Sequence, residues 1–144
     1  MTRIKCTANF YQDEFVYPGG DFHLMDSKIV LVAQWIREQL GKSVTINNYA
    51  TGGHYKESGL RDLDTTTGAK KSAHKPLESH GGIGRAIDIK VDGMTAKEVW
   101  DWCMDKQMEL YAMGVREIEH HEDTPTWTHL STRGNHLAIK VIRP

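Results

Sequence analysis

Apolar residues at Ile29, Val32, Ala33, Ile36 and Leu40 recur every three to four positions, which predicts a helix with one buried stripe. Asp26 or Ser27 can cap its start, and Gly41 ends it. A second stripe, Val99, Trp102, Cys103, Met104, Leu110 and Met113, follows the capping box Thr95-Ala96-Lys97-Glu98 and predicts one helix running to Met113-Gly114. Elsewhere the period falls to two. Ser43 to Asn47 reads as a strand, and so does the stretch around Ala86 to Val91, where Ile87, Ile89 and Val91 point into a core while Ala86, Asp88 and Lys90 point the other way. Val115 to His120, Trp127 to Thr132 and Leu137 to Ile142 complete the strands. Residues 1 to 25, broken by Pro18-Gly19-Gly20, predict an irregular arm or one short strand laid over the body. Residues 62 to 79 show no period and predict a loop, either mobile or forming the rim of a cleft.

The strands on either side of Glu122-Asp123-Thr124-Pro125 form a hairpin. Pairing His121 with Trp127 across the loop sets Glu119 directly opposite His129, on the same face.

Length and composition set the frame for these elements. The 144 residues, 39% hydrophobic and 26% charged, are ordinary for a globular chain and predict a single domain over 1–144. A formal net charge of -1 and a pI near 6.7 argue against a nucleic-acid binder. There is no apolar run of about 18 residues, so no membrane insertion is expected. The first residues lack the apolar segment of a secretory signal, which predicts synthesis in the cytoplasm. Cys6 and Cys103 are far apart and are read as free thiols.

The candidate chemistry gathers around Ser79-His80-Gly81-Gly82-Ile83-Gly84-Arg85-Ala86-Ile87-Asp88-Ile89. Asp88 faces away from the core, His80 lies just upstream across a glycine turn, and His129 follows on a second strand within Trp127-Thr128-His129-Leu130. Two imidazoles and a carboxylate are a catalytic zinc donor set, which leaves a fourth position open. His54, His120, His121 and His136 are each read as surface or supporting residues.

Ser-x-His, a short glycine turn, Gly-Arg-Ala-x-Asp-Ile and a later Trp-x-His together resemble the zinc D-alanyl-D-alanine carboxypeptidases and the phage L-alanyl-D-glutamate endolysins, which share their fold with the Hedgehog signalling domain. Asn9-Phe10 to Glu14-Phe15, Ser58-Gly59-Leu60-Arg61 and the closing Lys140-Val141-Ile142-Arg143-Pro144 are similar to the phage branch, so the resemblance covers nearly the whole chain. It implies an α+β fold, a small mostly antiparallel sheet with helices packed on one face. Two positions depart from the family pattern. His80 and Asp88 are eight apart where the family has seven, which makes His74 a rival first ligand, and Thr126 stands where many members carry an acid.

The resemblance further implies a zinc peptidase that hydrolyses peptidoglycan stem peptides and acts as a monomer. His80, Asp88 and His129 would hold the metal, Glu119 or failing that Asp123 would serve as general base, and Arg61 would anchor a substrate carboxylate. As an endolysin it would reach the cell wall after disruption of the host membrane. Two other functions stay open: a non-catalytic module on the same fold that binds wall peptides or a protein, and a phage structural protein.

Overall fold

The computed structural model describes residues 2–144, arranged as three α-helices and one five-stranded mixed sheet of α+β type. Helix α1 spans Ser27–Leu40, α2 Ala96–Asp105 and α3 Gln107–Ala112. The strands are β1 Val44–Thr45, β2 Ala86–Val91, β3 Glu117–Glu119, β4 Thr128–Ser131 and β5 Lys140–Ile142, in the order β1-β2-β4-β3-β5. All neighbours run antiparallel except β3 and β5, which are parallel.

The sheet alternates as a pleated surface must. Ile87, Leu130, Ile118 and Val141 stand opposite one another on four successive strands and form one apolar row. That row packs into the same core as Ile29, Val32 and Ile36 of α1 and Val99 and Cys103 of α2. The next row, on the opposite face, holds Asp88 opposite His129. Burying isoleucines on one side therefore fixes which face receives the polar side chains.

Helix α1 has the boundaries its pattern dictates. The Asp26 carboxylate accepts from the Lys28 N–H, and Gly41 adopts φ 61°, a left-handed turn that favours glycine. The capping box at Thr95 forms reciprocally with Glu98. The helix it opens is not continuous, however. Lys106 leaves helical geometry at φ -99° and ψ 18°, which separates α2 from α3. Leu110 is buried in the core and Met108 stays 82% exposed, as the apolar stripe allots them, but the spacing does not reveal the break.

The amino-terminal arm is irregular, with 3-10 turns at Gln12–Glu14 and Phe22–Leu24 and isolated bridges to the body. It still supplies core: Phe10 and Phe15 are fully buried and meet edge to face. Both cysteines are free, Cys103 inside the core and Cys6 half-buried. Among the described residues no helix is long and apolar enough to cross a membrane.

Candidate metal centre

Three segments converge on the polar face of β2. The strand itself presents Asp88, β4 presents His129 directly opposite, and the aperiodic loop before β2 presents His74. That loop is pinned where it reaches the site. The His74 carbonyl accepts from the Arg61 N–H, and the Ala73 carbonyl accepts from the Arg85 N–H, so residues 73–74 lie clamped between two neighbouring stretches of chain.

The three side chains are buried and their donor atoms close a small triangle. His129 Nδ1 lies 2.9 Å from Asp88 Oδ1, His74 Nε2 lies 3.2 Å from the same oxygen, and the two ring nitrogens are 3.3 Å apart. Zinc bonds of about 2.0–2.1 Å in tetrahedral array would set ligand atoms about 3.3 Å from one another, so the triangle has the edge lengths of one tetrahedral face.

The hydrogen bonding behind His74 explains why the triangle suits a cation. Its Nδ1 sits 2.8 Å from the Gly59 carbonyl, which can only accept, so the ring proton belongs on Nδ1 and the lone pair on Nε2. Burial lowers the His74 pKa, against the opposing pull of Asp88, and favours this neutral form. A bare imidazole nitrogen thus points at a carboxylate oxygen, an arrangement of two lone pairs that a cation between them resolves. Gly59 can hold that carbonyl in place because it has no side chain: a Cβ there would fall 2.3 Å from the Phe15 carbonyl oxygen.

Asp88 is fixed through both oxygens. Oδ1 meets the two histidines, and Oδ2 accepts from the Arg61 guanidinium at 3.2 Å. Burial alone would raise its pKa; without a metal, positive charge on His74 and hydrogen bonding from His129 hold it below the usual carboxylate range, a part that a bound cation takes over once His74 is neutral. Arg61 also donates Nε to the Glu57 carbonyl at 2.7 Å. Glu57 in turn accepts from the hydroxyls of Thr65 and Thr67, which ties the loop down beside the site.

Two clefts open on either side. One, of about 400 Å³, is lined by Arg61 and Asp88 together with Tyr55, Lys90, Thr126 and Trp127. The other, of about 380 Å³, is lined by His129, Glu119, Lys71, Lys140 and Arg143. The register of β3 on β4 pairs Glu117 with Ser131 and Ile118 with Leu130, the register of the hairpin count, which carried one residue further sets Glu119 against His129. Burial raises the Glu119 pKa, and the nearby Asp88 and Asp123 carboxylates push the same way against the opposing effect of His129. Asp123 is itself engaged, with both carboxylate oxygens on the Arg143 guanidinium at 3.0 and 3.4 Å.

The residues predicted from sequence are thus distributed unevenly. Asp88, His129, Arg61 and Glu119 come together, whereas His80 does not join them and His74 takes the third place. His80 lies in the 3-10 turn Glu78–His80, where its Nδ1 is held at 3.1 Å by the Lys75 carbonyl, and it lines a different cleft. The reason lies in the glycine turn. Gly81 and Gly82 both take positive φ, and Gly84 is bridged to Met25, so residues 80–84 turn aside before β2 begins. Thr126 lines the Arg61 cleft and offers no carboxylate. His54 borders the same cleft, and His136 approaches Glu117 at 3.6 Å.

The supporting role of Glu57 carries no sequence signal beyond its place in a polar loop, and Gly59 is marked only by its place in Ser58-Gly59-Leu60-Arg61. The buried cluster of His74, Asp88 and His129 could hold a metal ion, and its nitrogen and oxygen donors suit zinc among other divalent ions. Comparison of the chain with protein-family models, with curated proteins and with solved structures finds no match.

Proposed function

We propose that the protein is a zinc-dependent peptidase whose substrates are the stem peptides of bacterial peptidoglycan. The observation that carries the hydrolytic reading is the donor triangle of His74 Nε2, Asp88 Oδ1 and His129 Nδ1, with His74 held in the ligating tautomer by Gly59. The substrate class comes from the resemblance of the sequence motifs to wall-cleaving peptidases, with His74 in the place of the first ligand.

Zinc bound by these three residues supplies Lewis acidity towards a scissile carbonyl and lowers the pKa of water towards neutrality. The remaining work falls to side chains of this chain. Glu119, beside His129 in the second cleft and with its pKa raised by burial, accepts the proton of the attacking water and returns it to the leaving amine. Asp123 is the weaker candidate for that task because its carboxylate is spent on Arg143. Arg61 holds Asp88 in orientation through one N–H and lines the cleft in which a substrate carboxylate would be anchored.

The test joins metal content to hydrolysis. Purified full-length protein is expected to contain one zinc per chain and to release soluble peptides from purified cell wall. Chelation should stop the release, and added zinc should restore it. A folded protein that binds zinc at the triangle but releases nothing from wall or synthetic stem peptides would overturn the hydrolase and leave a binding module.

A further inference from the structure

The turn that carries His80 leads to a third cleft, of about 400 Å³, formed where residues 79–81 meet the start of α1 and the loop after β4. Four cationic side chains line it: Lys28, Arg85, Arg116 and Arg133. Two of them have a carboxylate partner. Arg85 lies 3.2 Å from Asp26, and Arg133 lies 2.9 Å from Glu117. Lys28 and Arg116 have none within ion-pairing distance among the described residues. The stem of Lys28 lies along Gly114, where an added Cβ would meet its Cδ at 3.0 Å. Arg116 is stacked 3.7 Å from the centre of the Tyr111 ring and is tethered through one nitrogen to the Tyr111 and Val115 carbonyls. These two charges are placed by the fold yet left without a counter-ion.

His80 supplies an independent sign of a ligand. It is 7% exposed, lines this cleft, and has its Nδ1 committed to the Lys75 carbonyl. Its Nε2 has no protein partner among the described residues. With its ring proton on Nδ1, facing the Lys75 carbonyl, His80 offers an Nε2 lone pair to a ligand O–H in a cleft that also holds two uncompensated cations.

We propose that this cleft binds a phosphate-bearing ligand, with Lys28 and Arg116 supplying the uncompensated charge, Arg85 and Arg133 flanking it and His80 Nε2 accepting a hydrogen bond from an O–H of the ligand. Two uncompensated cations match a phosphate group better than a single carboxylate, and the planar donors of arginine suit its oxygens. The cleft is larger than phosphate itself, which leaves space for the polyol or sugar that carries it. This inference does not depend on hydrolysis at the metal centre. Arg133 also lines the cleft beside Glu119, so the two clefts share a wall and one polymer could touch both.

Titration of the full chain with inorganic phosphate in ~0.15 M NaCl tests it, read by calorimetry and by the histidine side-chain nitrogen resonances. The expected result is saturable binding of one phosphate per chain that moves the His80 resonances and leaves those of His129 in place. The double variant Lys28→Gln/Arg116→Gln should weaken binding by about tenfold or more, with Arg116→Lys alone intermediate and circular dichroism confirming that each variant is folded. A parallel titration with poly(glycerol phosphate) separates the sources. Much tighter binding per phosphate marks a phosphodiester polymer, and equal or weaker binding marks a small phosphorylated ligand. No saturable binding of either probe, unchanged affinity in the folded double variant, or a response at His129 in place of His80 would each overturn the proposal.

Discussion

Two clusters in this chain have the same composition, two histidines and one carboxylate within 4.8 Å, and differ in almost everything else. His74, Asp88 and His129 are buried, come from three separate segments, and aim their donor atoms at one another. His120, His121 and Glu122 are consecutive and only partly covered. The two rings of that second group are stacked 4.4 Å apart and packed against Trp100, and His120 Nδ1 already accepts the Glu122 N–H. Stacked rings turn their faces to each other, whereas metal coordination needs in-plane lone pairs that converge. The supporting shell therefore makes the difference: Gly59 orients one imidazole, Arg61 fixes the carboxylate, and the β2–β4 pairing fixes the other imidazole.

Removing ligands should separate the clusters most sharply. His74→Ala or His129→Ala is expected to lose bound zinc and at least ~10³-fold in hydrolysis, while His120→Ala and His121→Ala keep full metal content by elemental analysis. Glu119→Gln should retain zinc yet lose ~10²–10⁴-fold in kcat. Because the Glu119 pKa is raised, its carboxylate is lost at a higher pH than that of an ordinary glutamate. In the chelated protein, the Glu119 carboxyl should accordingly titrate above the ordinary glutamate range when followed by side-chain carboxyl NMR. Arg61→Lys, which cannot hold Asp88 and the Glu57 carbonyl with one planar fork, should cost ~10–100-fold in metal affinity or activity.

The metal-free protein adds a measure that needs no substrate. The folded-state pKa of Asp88 is depressed, so its contribution to stability is present above the unfolded value of about 3.9 and is lost as pH falls below it. Denaturant titrations should show that loss in the chelated wild type and a smaller one in Asp88→Asn. The smallest effect belongs to His80. His80→Ala should leave zinc content unchanged, and a loss of zinc there would return that histidine to the metal centre.

Much of the scaffold was legible because it follows local rules. Asp26 and Gly41 bound α1, Thr95 and Glu98 open α2, and the alternation of β2 turns Asp88 away from the isoleucines. The hairpin count also gave the β3–β4 register, with Ile118 opposite Leu130. The break at Lys106 was hidden because apolar spacing continues through it, with Leu110 on the same stripe as Val99 and Cys103. His74 was visible only as a rival to His80. The periodic signal stops before residue 62, and what brings His74 to Asp88 is a set of backbone bonds between segments, from Arg61 and Arg85, that side-chain patterns do not record. The glycines beside His80 were read as a way into the site, whereas their positive φ values take the chain past it.

The pairing of Asp88 with His129 ties the donor triangle to correct assembly of the sheet. These residues are 41 apart in the chain, and a shift of β4 by one position would turn His129 into the core and set Leu130 or Thr128 beside the carboxylate. A misregistered chain would then be both metal-blind and poorly packed, so no compact decoy could keep the chemistry. Zinc retention would thus report on folding fidelity as well as on function, and a refolding experiment could count native molecules by the ions they capture.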